Sequence, residues 1–110
     1  MSEHINIVLI KDMMFFIDKI ENYNLNISHE AFITDRKTVD ATLLCIMQIG
    51  ELANKLSEDF KDKHDGIDWF NVRGLRNRIT HDYKNINVEL IWDVVTINIP
   101  ELKKYIEKII

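Results

Sequence analysis

The chain has 110 residues, of which 46% are hydrophobic, so we predict one domain over residues 1–110 with a core of modest size. One proline and three glycines leave little room for tight turns, which argues against a β-sandwich. Because 18 acidic residues outnumber 14 lysines and arginines, the net charge of −4 argues against a protein that coats nucleic acid without specificity.

The first half of the chain predicts three helices. Apolar residues spaced three and four apart indicate an amphipathic helix over residues 5–20, which the asparagines of residues 22–26 should end. Ser28 is the expected N-cap of a short helix through Phe32. The longest helix is predicted over residues 36–60. Because it is apolar nearly all round, we expect it to lie at the centre of a bundle or to be shared with a second copy.

The second half predicts two more helices. After a charged loop over residues 61–66, Asp68 is the expected N-cap of a helix that ends near a break at residues 84–86. The predicted core stripe of this helix consists of Val72, Leu75 and Ile79. Asn87 is the expected N-cap of the last helix, in which Pro100 lacks an N–H and should kink or restart the chain. The predicted buried residues there are Val88, Ile91, Trp92, Val95, Ile99, Leu102, Ile106 and Ile109.

The predicted compartment follows from the cysteine count and the apolar segments. Cys45 is the only cysteine, which excludes an intramolecular disulfide, and its apolar surroundings predict a buried thiol. The N-terminus lacks the basic segment and cleavage site of a secretory signal. No apolar run approaches the roughly 18 residues of a membrane-spanning helix. We therefore expect a soluble, cytoplasmic protein without a membrane partner.

The most informative segment is residues 76–83, which combines a guanidinium, a carboxamide, an imidazole and a phenol. Arg76 offers phosphate a permanently charged fork, and His81 can move protons near neutral pH. Together they could cleave or transfer a phosphodiester without a metal. The histidine spacing does not suit zinc and there is no glycine-rich phosphate loop, so we predict no metal site and no cofactor. The only obvious basic patch for RNA comprises Arg73, Arg76, Arg78 and Lys84.

Helical geometry separates the members of this motif. At about 100° per residue, Arg76 and Tyr83 fall along one edge of the core stripe, whereas Asn77 and His81 share a row that points largely away from it. A working site therefore needs either a helix end near His81 or residues from a second chain. A two-fold dimer with its motif helices side by side would supply two copies to one cleft.

Simpler interpretations of the same residues remain open. Arg76 and Arg78 could be solvated surface, His81 could be structural, and Tyr83 could pack at an interface. For the whole chain, the alternative to an enzyme is a non-catalytic helical module that binds a nucleotide or a protein partner.

The spacing from Arg76 to Tyr83, R-x4-H-x-Y, resembles the motif of the HepT-like toxins, a branch of the HEPN ribonucleases. Residues 49–56, Ile-Gly-Glu-Leu-Ala-Asn-Lys-Leu, are similar to the family's I-G-E-A-A-x-x-L segment. Residues 69–83 are similar to its W-x-x-I-x-G-[ML]-R-N-x-[LI]-x-H-x-Y core, and residues 91–102 to its tail with V-W and [LI]-P-x-L. The resemblance runs from about residue 30 to the C-terminus. It departs at residues 84–86, where the family often carries Phe-Gly-Ile.

This resemblance implies an all-α HEPN-type antiparallel bundle of about four to five helices with a proline-kinked last helix. It implies a homodimer that cleaves RNA without metal in a cleft at the dimer interface. Arg76 and His81 would be catalytic, with Asn77 in support. A minimal nucleotidyltransferase antitoxin would transfer AMP to Tyr83. We therefore expect the toxin of a type VII-like HEPN/nucleotidyltransferase pair, an endoribonuclease that leaves a 2′,3′-cyclic phosphate.

Overall fold

The computed structural model describes residues 3–110, and within that range it contains helices and no strand. The α-helices are α1 (Glu3–Tyr23), α2 (His29–Thr34), α3 (Arg36–Lys55), α4 (Glu58–Lys63), α5 (Trp69–Asp82), α6 (Val88–Asp93) and α7 (Ile99–Ile109). A 3₁₀ turn, Tyr83–Asn85, follows α5, and a π-helical segment, Val94–Asn98, joins α6 to α7. The predicted all-α, HEPN-like bundle is confirmed. The domain predicted over residues 1–110 includes residues 1 and 2, which lie outside the described residues.

α3 lies at the centre of the bundle, as predicted, and packs against α1, α2, α5 and α6. Its core residues recur at steps of three and four, and so do those of α1 that face it. The α1 contribution is Ile10, Met13, Ile17 and Ile20, all fully buried. The apolar run over residues 43–47 is mostly buried within the chain, including the Cys45 thiol, which is 2% exposed as predicted. Burial raises the pKa of that thiol, and in this run only Leu44 is exposed.

The predicted central helix over residues 36–60 is wrong at its C-terminal end. α3 stops at Lys55, and Leu56 adopts extended backbone with φ −65° and ψ 145°. Ser57 then caps a separate helix, α4, which occupies the first part of the loop predicted over residues 61–66. As a result α1, with 21 residues, is the longest helix of the described chain rather than α3.

A contact between distant residues accounts for this break. The buried side chain of Asn6, in α1, accepts a hydrogen bond from the Ser57 backbone N–H at 3.2 Å. Its Nδ2 donates to Ser57 Oγ at 3.1 Å, and that oxygen also accepts the N-cap hydrogen bond from Phe60 N at 3.2 Å. A buried amide needs such partners, so Asn6 holds the chain at residue 57 in a non-helical conformation.

The predicted N-caps Ser28, Asp68 and Asn87 are confirmed, since each side chain accepts a backbone N–H from the first turn of its helix. The donors are Ala31 and Asn71 at 3.1 Å and Leu90 at 3.3 Å. Asp35 caps α3 in the same way through Thr38, and those hydrogen bonds lower the pKa of Asp35. Removing such a cap typically costs about 1 kcal/mol.

The last helix changes type before Pro100. The chain is π-helical from Val94 to Asn98 and returns to α-helix with Pro100 in the first turn of α7. Val94 and Ile99, five residues apart, are both buried, which fits the wider i→i+5 turn of a π-helix. The predicted kink or restart at Pro100 therefore takes the form of a change in helix type. Of the residues predicted to be buried here, Ile91, Ile99 and Ile106 are fully buried and the others are half-buried.

None of the helices within residues 3–110 has the length and apolar character needed to cross a membrane.

Candidate active site on helix α5

α5 carries the predicted site residues and is anchored to α3 by its apolar stripe. Ile79 is fully buried, and Val72 and Leu75 are half-buried against the core. The predicted stripe is thus confirmed. Because the helix is regular from its Asp68 cap to Asp82, this stripe fixes the direction in which every other α5 side chain points.

Arg76 leaves α5 where that helix approaches α3 most closely. A methyl group at Gly50 would overlap Arg76 Cβ and would lie 2.8 Å from Arg76 Cγ. Gly50 does not have a positive φ, so glycine is needed there for space and not for backbone conformation. The aliphatic stem of Arg76 therefore lies directly against the backbone of α3.

The Arg76 guanidinium is held on two sides. Its Nη2 forms an ion pair with Glu51 Oε1, a contact that is close but is not aligned as a hydrogen bond. Its Nη1 donates to Asn77 Oδ1 at 3.0 Å. Nε is buried and has no hydrogen-bond partner in the described chain. The side chain keeps 29% of its surface exposed, so the group is oriented while remaining open to solvent on one edge.

His81 lies on a different face of α5. It is exposed and makes no hydrogen bond or ion pair with any of residues 3–110. Five residues of regular helix separate it from Arg76, which places the two side chains about 140° apart. α5 ends one residue later, at Asp82. One chain therefore does not bring Arg76 and His81 together, although His81 does lie at a helix end.

Two other histidines are held by contacts that His81 lacks. The Nε2 of His29 lies 2.6 Å from Glu89 Oε2, and the ring of His64 lies 4.5 Å from the ring of Phe60. These contacts account for both residues as parts of the scaffold.

Tyr83 does not continue along the edge that Arg76 occupies. Asp82 turns the backbone to φ −137° and ψ 27°, and Tyr83 begins the 3₁₀ turn. The projection of a continuous helix therefore does not apply to Tyr83. Tyr83 as a whole is 46% exposed.

Tyr83 is packed instead against the first turn of α3. The guanidinium carbon of Arg36 lies 5.0 Å from the centroid of the Tyr83 ring, and Arg36 Nη2 donates to the Tyr83 carbonyl oxygen at 3.3 Å. Asp40 Oδ1 holds Arg36 Nε at 2.7 Å. The contacts with Tyr83 and with Asp40 raise the pKa of Arg36, so a permanent cation lies beside the phenol ring.

A groove of about 620 Å³ lies between α5 and the last helix and has mostly apolar walls. Its lining includes Arg78 but none of Arg76, Asn77, His81 or Tyr83. Phe70, which is 83% exposed, stands at its rim. This groove is therefore separate from the predicted site residues other than Arg78.

The remaining members of the predicted basic patch, Arg73, Arg78 and Lys84, are all exposed. They are available to the phosphates of a polyanion. Over residues 3–110, no group of three or more His, Cys, Asp or Glu side chains is placed to hold a metal ion.

The structure adds three residues to the site that sequence reasoning did not assign. Gly50 and Glu51 hold Arg76, and Arg36 packs on Tyr83. Gly50 and Glu51 belong to the Ile-Gly-Glu segment, which resembles the family pattern. Their distance from Arg76 along the sequence does not indicate that they contact it. Only the packing of α3 on α5 brings them together.

Comparisons with known proteins give consistent matches over most of the chain. The model of a family described as "Ribonuclease HepT-like" matches residues 15–109. "Putative RNase MJ1216" and "Putative RNase MJ0127", both of Methanocaldococcus jannaschii, are 31% and 35% identical to this chain. The first alignment covers 90% of this chain and 82% of the relative, and the second covers 91% and 88%. "Probable ribonuclease HepT" of Thermococcus cleftensis is 32% identical, over 91% of both chains. No solved structure matches this chain.

Proposed function

Because the chain belongs to the HepT-like ribonuclease family, we propose that it is a metal-independent endoribonuclease and the toxin of a HEPN/nucleotidyltransferase toxin–antitoxin pair in the cytoplasm. The observation that carries this proposal is the oriented guanidinium of Arg76 on the same helix as an exposed, unbonded imidazole at His81. An anion-binding fork and a proton-transfer group are the two elements that phosphodiester cleavage needs.

The proposed reaction is an internal transesterification. The ribose 2′-OH attacks the adjacent phosphorus, the bond to the 5′-oxygen breaks, and the products are a 2′,3′-cyclic phosphate and a free 5′-OH. His81 acts as general base, as general acid, or as one of each across two chains. Arg76 binds the phosphate and stabilises the charge that develops on its oxygens. Asn77 supports the reaction by accepting the Nη1 hydrogen bond of Arg76.

We propose that the working unit is a homodimer with the α5 helices side by side. Arg76 and His81 diverge on one helix, so a partner chain is needed to complete a cleft. On the outward face of α5, Phe70, Gly74, Asn77 and His81 follow one row at steps of four, three and four. Beyond its own helical turn, a methyl group at Gly74 would meet no atom of residues 3–110 within 4 Å, which leaves this face open to close approach by another helix.

We propose further that a minimal nucleotidyltransferase neutralises the enzyme by AMPylation of Tyr83. The phenol oxygen would attack the α-phosphate of ATP, forming a P–O bond, releasing pyrophosphate and giving up its proton. The Arg36 cation over the Tyr83 ring supports this assignment, because it would attract the incoming phosphate. The attached nucleotide would add bulk and negative charge beside the site and so repel RNA.

RNA cleavage by purified variants tests the catalytic assignment. His81→Ala should lower the rate by roughly 10²–10⁴-fold, and Arg76→Ala by roughly 10²–10³-fold, because each removes a group that acts on the reacting phosphate. His4→Ala, an exposed histidine of α1, is the matched control and should cleave normally. Cleavage should persist in EDTA and leave a cyclic phosphate end. Normal cleavage by either site variant, or its arrest by EDTA, would contradict the mechanism. RNA binding without cleavage by the wild type would favour the non-catalytic module.

A further inference from the structure

We propose that Glu51 is a positioning residue that holds the Arg76 guanidinium in its working orientation, an inference that rests on the proposed ribonuclease function. An acidic residue beside a phosphate-binding arginine is unexpected from charge alone, because it partly neutralises the cation and repels an anionic substrate. The packing of α3 on α5 explains its presence, because it brings the Glu51 carboxylate against the Arg76 guanidinium.

Glu51 is the residue outside α5 whose contact fixes the Arg76 guanidinium. The closeness of Gly50 fixes the stem of Arg76, but the group beyond Cγ could still rotate. Asn77 holds Nη1 from the same helix, at 3.0 Å. Glu51 holds Nη2 from α3. With one nitrogen bound to each helix, the plane of the guanidinium is set by the packing of α3 against α5.

The pair is only partly buried. The side chains of Arg76 and Glu51 retain 29% and 40% exposure, whereas the contacting Glu51 Oε1 is itself buried. A phosphate would therefore approach the exposed part of the guanidinium and not the oxygen that holds it. A partly exposed ion pair contributes little to stability. Its effect on catalysis is larger, because it sets the orientation of the Arg76 guanidinium and catalysis is sensitive to small errors in position.

This role predicts a lower kcat without a higher KM when Glu51 is removed. Glu51→Ala removes the contact, so kcat should fall by up to about 10²-fold, as expected for a misplaced catalytic group. The same change removes a negative charge near the RNA phosphate, so KM should stay constant or decrease. A residue that mattered only for folding would lower the amount of active enzyme and would not produce this split.

Two conservative variants of Glu51 separate the effect of side-chain length from the effect of charge. Glu51→Gln keeps the length of the side chain and an acceptor oxygen, so it should retain most of kcat. Glu51→Asp keeps the charge but is one methylene shorter, so it should behave more like Glu51→Ala. Glu58→Gln is the matched control, since Glu58 is an exposed acid on α4 paired with Lys61 at 3.3 Å. It removes the same charge and should change neither constant. A higher kcat for Glu51→Asp than for Glu51→Gln would overturn the proposal, as would unchanged kcat in Glu51→Ala.

A measurement that does not depend on RNA cleavage tests the role of Glu51 separately from the proposed ribonuclease function. The Nε–H of Arg76 is buried, so it should exchange slowly with water and give a resolved ¹H–¹⁵N signal, identified by its loss in Arg76→Lys. In Glu51→Ala this signal should broaden or shift, while Glu58→Gln should leave it in place. If the wild type does not cleave RNA, the proposed function fails and this signal alone decides whether Glu51 orients Arg76. An unchanged signal in Glu51→Ala would overturn the positioning role.

Discussion

Tyr83 illustrates how the environment of one side chain follows from a single backbone change. The turn at Asp82 takes Tyr83 off the α5 helix and brings its ring under the Arg36 guanidinium, 5.0 Å from the ring centroid. The other exposed tyrosine of the described chain, Tyr23, has a different cation nearby: the Nζ of Lys19 lies 5.8 Å from its ring centroid. The two residues therefore form a natural comparison for chemical modification.

Tyr83 should be the residue that accepts AMP. With the cognate transferase, ATP and Mg²⁺, mass spectrometry should show one or more AMP units on the wild type and none on Tyr83→Phe. Tyr23→Phe, the matched control, should be modified as the wild type is. Arg36→Ala should be modified more slowly, because it removes the cation beside the phenol. AMP on another residue, or none on the wild type, would reject the assignment while leaving the ribonuclease proposal standing.

Among the helices, the approach of α3 to α5 matters most for the site. Gly50 and Gly74 both lie inside helices, where alanine is ordinarily favoured over glycine by about 1 kcal/mol. Their surroundings differ completely. Gly50 is in contact with the stem of Arg76, whereas Gly74 faces open space.

The two glycines should therefore respond to alanine with opposite signs. Measured at concentrations where the chain is monomeric, Gly74→Ala should raise the free energy of unfolding by up to about 1 kcal/mol, because the methyl meets nothing within the chain. Gly50→Ala should lower it by about 1–3 kcal/mol, because the new methyl must displace Arg76 or separate the helices. It should also reduce RNA cleavage. Urea unfolding of both variants tests the pair of predictions. A stabilised Gly50→Ala variant with full activity would show that the close approach is not required.

For the whole molecule, the proposed dimer cleft would depend on the outward face of α5. The outward row of α5 ends in Phe70, a large apolar side chain with 83% exposure beside a mostly apolar groove of about 620 Å³. Burying such a ring typically contributes about 1.5–3 kcal/mol, which favours its coverage by a second chain.

We expect a homodimer at micromolar concentration, with twice the chain mass of 13.1 kDa in sedimentation analysis. Phe70→Glu should shift the protein towards monomer and reduce RNA cleavage, since a carboxylate is costly to bury at an interface. Leu25→Glu, at an exposed leucine in the loop after α1, is the matched control and should remain dimeric and active. A wild type that sediments as a monomer and still cleaves RNA would contradict the shared cleft.

Much of the fold could be predicted from the sequence because its signals are local. The three- and four-residue spacing of apolar side chains identified α1, the α5 stripe and the last helix. The hydrogen bonds of Ser28, Asp68 and Asn87 are made within one turn of each residue. The spacing of residues 76–83 also showed, from helical geometry alone, that Arg76 and His81 would point apart.

What the tertiary structure decided involves residues far apart in the chain. The end of α3 depends on hydrogen bonds between Asn6 and Ser57, which are 51 residues apart. The orientation of the Arg76 guanidinium depends on Glu51. The surroundings of Tyr83 depend on Arg36, which lies 47 residues earlier in the chain. Periodicity and capping describe only neighbours within a few residues, so they cannot register such contacts. The type and order of the chemical groups were therefore set by sequence, whereas their partners and orientation were set by the packing of α3 against α1 and α5.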